Sequence, residues 1–129
     1  MTESFQNHTD EEKRAFLDAL QKRTKAFTLR SIKLFQALPE TEEAKIIGRQ
    51  FLRSATSVGA NHRAVSRSRS KAEFFAKLSV TIEEADEAMF WLEVIIEAHI
   101  LPEQRVIALL KEAEAITRIL AKARKSIDG

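Results

Sequence analysis

Apolar residues recur along this chain at spacings of three, four and seven, the repeat of an amphipathic α-helix with one face turned inward. Phe16, Leu20, Phe27, Leu34 and Leu38 make the first such seam, and Ile47, Phe51, Ser54, Val58, Asn61 and Val65 the second. The third runs through Phe74, Leu78, Ala85, Met89, Leu92 and Ile96, the fourth through Val106, Leu110, Ala113, Leu120 and Ala123. Punctuation falls between the seams. Thr9-x-x-Glu12 and Ser70-x-x-Glu73 have the capping-box pattern, in which hydroxyl and carboxylate each satisfy an orphan backbone N–H. Pro39 and Pro102 suit the first turn of a new helix and stop an old one. The pattern predicts helices over 10–37, 41–67, 70–99 and 102–125, and such short turns make neighbours antiparallel. The expected fold is all-α: one domain over 1–129, an antiparallel up-down-up-down four-helix bundle, with a flexible N-terminus at 1–9 and a frayed C-terminus at 126–129.

Composition narrows the chemistry. A chain of 129 residues suffices for one core. With no Cys there is no disulfide framework and no thiolate metal site. The polar start MTESFQNHTDEEKR has no apolar run of signal-peptide length, and no stretch approaches the ~20 apolar residues of a membrane span. A cytoplasmic location and no membrane partner are expected.

A net charge of +2 conceals a segregation along the chain. Residues 44–77 hold eight Lys or Arg against one acid, Glu73, for a net of +7. Residues 81–100 hold six acids and no Lys or Arg, for a net of −6. At about 100° per residue, Lys45, Arg49, Arg53, Arg63 and Arg67 share an arc of about 80° on the second helix. Thr56 and Ala60 lie between them, small enough to let a phosphate backbone approach. Arg69, Lys71 and Lys77 extend the positive field into the next helix, and the planar arginine fork suits phosphate oxygens. The other reading of such a stripe is a solvated face, or one paired with the acidic third helix of the same or a neighbouring subunit. With one Trp and no Tyr there is no base-stacking platform, so nucleic acid would be held by backbone or shape. Ser54, Ser57 and Asn61, opposite the stripe, suit close helix approach and register.

On the third helix, Val80, Trp91, Val94 and Ala98 form a second apolar strip with Phe90 beside it, the kind of surface that marks a subunit interface. Glu83, Asp86, Glu87, Glu93 and Glu97 adjoin it and could meet a neighbour's basic stripe in a head-to-tail ring. Candidate catalytic chemistry is sparse. The Glu-x-x-His pairs of a bundle di-iron site are absent, since Phe5, Gly59 and Ile96 stand three before His8, His62 and His99. Those histidines lack metal spacing and are expected at the surface or in caps. Glu83, Glu84 and Glu87 are expected to be solvated, Ser57 has no neighbouring base, and Gly48 and Gly59 lie inside a helix rather than in a phosphate loop. No cofactor, metal or catalytic residue is expected, and therefore no enzyme.

Residues 49–92 carry a resemblance: Gln50, Arg53-Ser54, Ser57-Val58-Gly59-Ala60-Asn61, the stretch 74–78, and Glu84-Ala85-Asp86-Glu87 leading to Trp91-Leu92. In these the chain resembles the bacterial four helix bundle protein family that includes the 23S ribosomal RNA intervening-sequence proteins. The resemblance implies a homopentameric ring of bundles without enzymatic activity. That ring would be similar to the accessory variability proteins of diversity-generating retroelements, which bind nucleic acid and a reverse transcriptase. It also implies that Arg49, Arg53, Arg63 and Arg67 contact phosphate. At Asn61-His62-Arg63-Ala64 the sequence departs from the family, keeping Arg63 but lacking the acid that many relatives carry next. The leading expectation is an oligomeric accessory protein that binds structured RNA or DNA, alongside a partner enzyme such as a reverse transcriptase. The alternative is an interaction module whose basic and acidic helices pair between subunits.

Overall fold

A computed structural model describes residues 8–128. Among the described residues there are four α-helices, α1 (Asp10–Gln36), α2 (Glu42–Ser66), α3 (Lys71–Glu97) and α4 (Ile107–Asp128), with a 3₁₀ turn at Glu103–Arg105. Each helix packs on its neighbours in sequence and α4 returns to α1, so the four close into an antiparallel bundle. Of the expected flexible start, 1–7 lie outside the described residues, and Thr9 is a helix cap. Of the expected frayed end, 126–128 belong to α4 and Gly129 lies outside the described residues.

Local chemistry sets the helix ends. Thr9 forms a full capping box: its hydroxyl accepts from Glu12 N–H at 3.0 Å, and the Glu12 carboxylate accepts from Thr9 N–H at 3.0 Å. Ser70 accepts from Glu73 N–H at 3.0 Å, half of the box expected there, and Thr41 caps α2 through Ala44 N–H at 3.3 Å. The α3 C-terminus closes in a Schellman motif, with Ile100 N–H on Ile95 O and His99 N–H on Ile96 O, both at 3.0 Å. His99 takes the left-handed position usually given to Gly, with φ of 57°. Pro102 does not open α4 as the sequence suggests. It stays extended with ψ of 142°, and the 3₁₀ turn delays the helix to Ile107.

Phe27, Phe51, Leu78, Leu92, Ile95, Ile116 and Leu120 are fully buried and dominate the core, each stabilising the fold by roughly 1.5–3 kcal/mol. Buried Thr24, Ser31, Ser54 and Thr81 return their hydroxyls to carbonyls of their own helices, at 3.1, 2.8, 3.0 and 2.8 Å. They need no partner across the core. Between α1 and α2 the helices nearly touch: a Cβ on Gly59 would stand 2.8 Å from Thr28 Oγ1. That hydroxyl is itself held by Thr24 O at 3.0 Å.

Two expectations are corrected here. Asn61 does not fix register across the core, because it is half-buried and its amide donates to Ser57 O of its own helix at 2.9 Å. The inner arc of α2 runs instead through Ala44, Gly48, Phe51, Ser54, Ala55, Val58, His62 and Val65. His62, expected at the surface, is completely buried. It stands four residues after Val58 and three before Val65, so it shares their face. Its Nε2–H donates to Leu17 O at 3.1 Å, leaving Nδ1 as the lone-pair nitrogen with no partner among the described residues.

The tight glycine contacts and the buried imidazole each have a measurable consequence. Gly59→Ala should lower stability by about 1 kcal/mol, as overpacking against a β-branched, hydrogen-bonded side chain outweighs the helix-propensity gain. Gly48→Ala should be neutral or stabilising, since its new Cβ meets chiefly the movable tip of Leu38; urea denaturation compares the two. Burial also pushes the His62 imidazole below its ordinary 6.5. The unfolded chain therefore takes up a proton first, and stability present above that pH falls as pH drops from there toward the folded group's lower value. Glu87 and Glu112, held low by Arg53 and Arg23, lose their contribution only below the ordinary carboxylate value of 4.5. Urea midpoints from about pH 7.5 to 5 should decline in the wild type and flatten in His62→Leu.

Candidate nucleic-acid interface

Packing of α2 by its inner arc leaves the opposite arc to solvent. Lys45, Arg49, Arg53, Arg63 and Arg67 are all exposed, as are Arg69 in the turn and Lys71 and Lys77 on α3. Two of the eight have acid partners. Lys45 reaches Glu40 at 3.7 Å across open solvent, a weak contact. Arg53 bridges to α3, where its guanidinium donates to Glu84 at 3.2 Å and closely to Glu87. Trp91 Nε1–H completes the cluster by donating to Glu87 at 3.1 Å. The hydrogen bond from Arg53 holds the Glu87 carboxyl below its ordinary range despite partial desolvation. Glu84 and Glu87 are therefore not the solvated acids expected from the sequence, and Arg53 is a clamp between α2 and α3 of one chain. Among the described residues Arg49, Arg63, Arg67, Arg69, Lys71 and Lys77 have no ion-pair partner.

The antiparallel order adds cations that sequence reading did not assign. The end of α2 and the start of α3 lie at the same end of the bundle as the last turns of α4, where Arg124 donates to Ser79 at 3.4 Å. Arg118, Lys122 and Lys125 are carried on those turns. Their only sequence signal is a basic run in the fourth helix, remote in sequence from the α2–α3 turn whose end of the bundle it shares. A bidentate pair, Arg23 to Glu112 at 2.7 and 2.9 Å, ties α4 to α1 nearer the middle of the bundle.

The apolar strip on α3 divides. Val80, Phe90 and Ala98 are exposed, whereas Trp91 and Val94 are half-buried, with Trp91 packed against the core. Trp91 also meets Phe90 edge-on, ring centroids 4.9 Å apart at 73°. Among the described residues no three His, Asp or Glu side chains converge as a metal site, and no helix is long and apolar enough to cross a membrane.

A family model described as 23S rRNA-intervening sequence protein matches residues 17–122. No curated protein matches the chain. Among solved structures, a 1.70 Å crystal structure of a protein of unknown function from the S23 ribosomal protein family of Bacteroides thetaiotaomicron VPI-5482 is similar, with a TM-score of 0.79 and 27% identity. The similarity covers 84% of this chain and 97% of that one.

The Arg53 clamp predicts a small coupling. In a double-mutant cycle, Arg53→Ala and Glu87→Ala should couple by less than about 1 kcal/mol, shrinking in high salt, because both groups remain partly exposed. Arg53→Lys should not restore it, since a single ammonium cannot span two carboxylates as the guanidinium fork does. Trp91 fluorescence reports the change through its bond to Glu87.

Proposed function

The chain belongs to the 23S rRNA-intervening sequence protein family, and from that premise we propose that it is a non-enzymatic accessory protein that binds structured nucleic acid by its phosphate backbone. It works in the cytoplasm as an oligomer, the homopentameric ring that the family resemblance implies, and presents the bound strand to a partner enzyme such as a reverse transcriptase. The observation that carries the reading is the set of exposed cations without acid partners, Arg49, Arg63, Arg67, Arg69, Lys71 and Lys77, gathered on one arc and one end of a rigid bundle. Like charges held this close repel one another, and a polyanion relieves that cost while releasing its own counterions. Ala60, exposed between the arginines, leaves room for a backbone to approach. Arg53 contributes to the field but serves first as the clamp. The alternative, pairing of the stripe with α3 between subunits, loses Glu87 to the clamp within the chain but keeps Glu83, Asp86, Glu93 and Glu97 as exposed acids.

Fluorescence anisotropy with a labelled RNA hairpin tests this. Wild-type affinity should fall linearly in log salt between about 50 and 200 mM, and Arg63→Glu/Arg67→Glu/Arg69→Glu should flatten that slope by about 0.9 for each phosphate no longer neutralised. Lys122→Glu/Lys125→Glu should weaken binding as well, although it touches no residue of α2. Wild-type protein that ignores RNA and duplex DNA alike at the lower salt sinks the proposal.

A further inference from the structure

Among the described residues only Leu29, Ile46, Val80 and Phe90 stand out as large apolar side chains left exposed. Two of them sit in opposite electrostatic settings. Phe90 is 52% exposed, and its surface neighbours three, four and seven positions away on α3 include Glu83, Asp86, Glu93 and Glu97, all exposed. None of these acids has an ion-pair partner among the described residues, in contrast to Glu84 and Glu87 under the Arg53 clamp. The edge contact from Trp91 holds the ring upright on this face. Leu29 is 55% exposed on α1, and its neighbours at the same offsets include Lys22, Lys25 and Lys33, likewise exposed and without acid partners among the described residues. One helix carries an apolar knob ringed by carboxylates, the other an apolar knob ringed by ammonium groups.

These faces cannot meet within a chain. α1 and α3 are diagonal in the bundle, each packing on α2 and α4, so their outer faces look to different sides. We propose that the Leu29 face of α1 docks on the Phe90 face of α3 in a second copy of this chain. The inference rests on the oligomeric part of the function proposed above and is independent of its nucleic-acid part. A second copy is favoured over a foreign partner because each chain carries both halves of one complementary pair. Phe90 supplies the aromatic anchor of the contact, and the charged rims steer and register it. The α2 stripe is the poorer match to α3, for the centre of its arc holds Thr56 and Ala60 where α1 offers Leu29. A contact between two different faces is heterologous: it adds copies head to tail until a ring closes, rather than stopping at a two-fold dimer.

Charge reversal and rescue test the pairing on the full chain. Lys22→Glu/Lys25→Glu/Lys33→Glu and, separately, Glu83→Lys/Glu93→Lys/Glu97→Lys should each reduce the wild-type oligomer to a single-chain mass in light scattering, with helical circular dichroism retained. One chain carrying all six reversals should regain the wild-type mass, a rescue that misfolding cannot mimic. Persistence of the oligomer in both three-site variants, or failure of the six-site chain to reassemble, overturns the α1–α3 pairing while leaving oligomerisation intact. A wild type that is monomeric at micromolar concentration overturns both. RNA anisotropy on the same proteins separates the remaining case: if the α1 variant keeps its oligomer but no longer binds RNA, the lysines serve nucleic acid and the docking proposal is wrong.

Discussion

The close seating of α2 against α1 governs the rest of this molecule. Where Gly59 meets Thr24 and Thr28 a Cβ would crowd Thr28 Oγ1 at 2.8 Å, so this close approach favours the observed rotational setting of α2, which its buried apolar arc also selects. That setting places Phe51, Ala55, Val58 and Val65 in the core and turns the arc from Lys45 to Arg67 outward. A rotation by a single residue, about 100°, would drive arginines toward the interior, where an unpaired charge costs far more than the bundle could recover. The contact between two small surfaces thus fixes where the largest charges point.

Antiparallel connectivity then converts charge segregated along the sequence into charge segregated in space. Arg63 and the Arg67 cap of α2, the turn through Arg69 and the start of α3 share one end of the bundle with the basic last turns of α4. The acids of α3 lie progressively farther from that end. Midway, Arg53 joins the two regimes by taking Glu84 and Glu87 of α3 as partners. Four-helix bundles tolerate such asymmetry because the buried hydroxyls and the core are satisfied locally, leaving the surface free to vary with function.

The outer faces differ in what occupies their centres. On α2 the centre is Thr56 and Ala60, which suits a thin, charged backbone. On α3 and α1 it is Phe90 and Leu29, which suit a packed protein surface. The two proposals thus assign different uses to the positive charge on α1 and on α2, and the distinction lies in the uncharged residue beside it.

Much of this was legible in the chain itself. Seams at helical spacing, the Thr9 and Ser70 caps and the two prolines determine four antiparallel helices, because local hydrogen bonding and apolar burial leave such segments few other choices. The resemblance across 49–92 pointed to the family that the match over 17–122 then established. The exposure of the α2 arginines also followed from the period of their helix. What tertiary structure alone decided were the relations between helices. Those include the burial of His62, the shift of the α2 core arc away from Asn61, the capture of Glu84 and Glu87 by Arg53, and the arrival of Lys122 and Lys125 at the bundle end that carries Arg67, Arg69 and Lys71. Sequence spacing specifies an angle around one helix axis, but which neighbour waits at that angle depends on how closely the helices approach and in what rotation. Here a missing Cβ at Gly59 permits that close approach between α1 and α2.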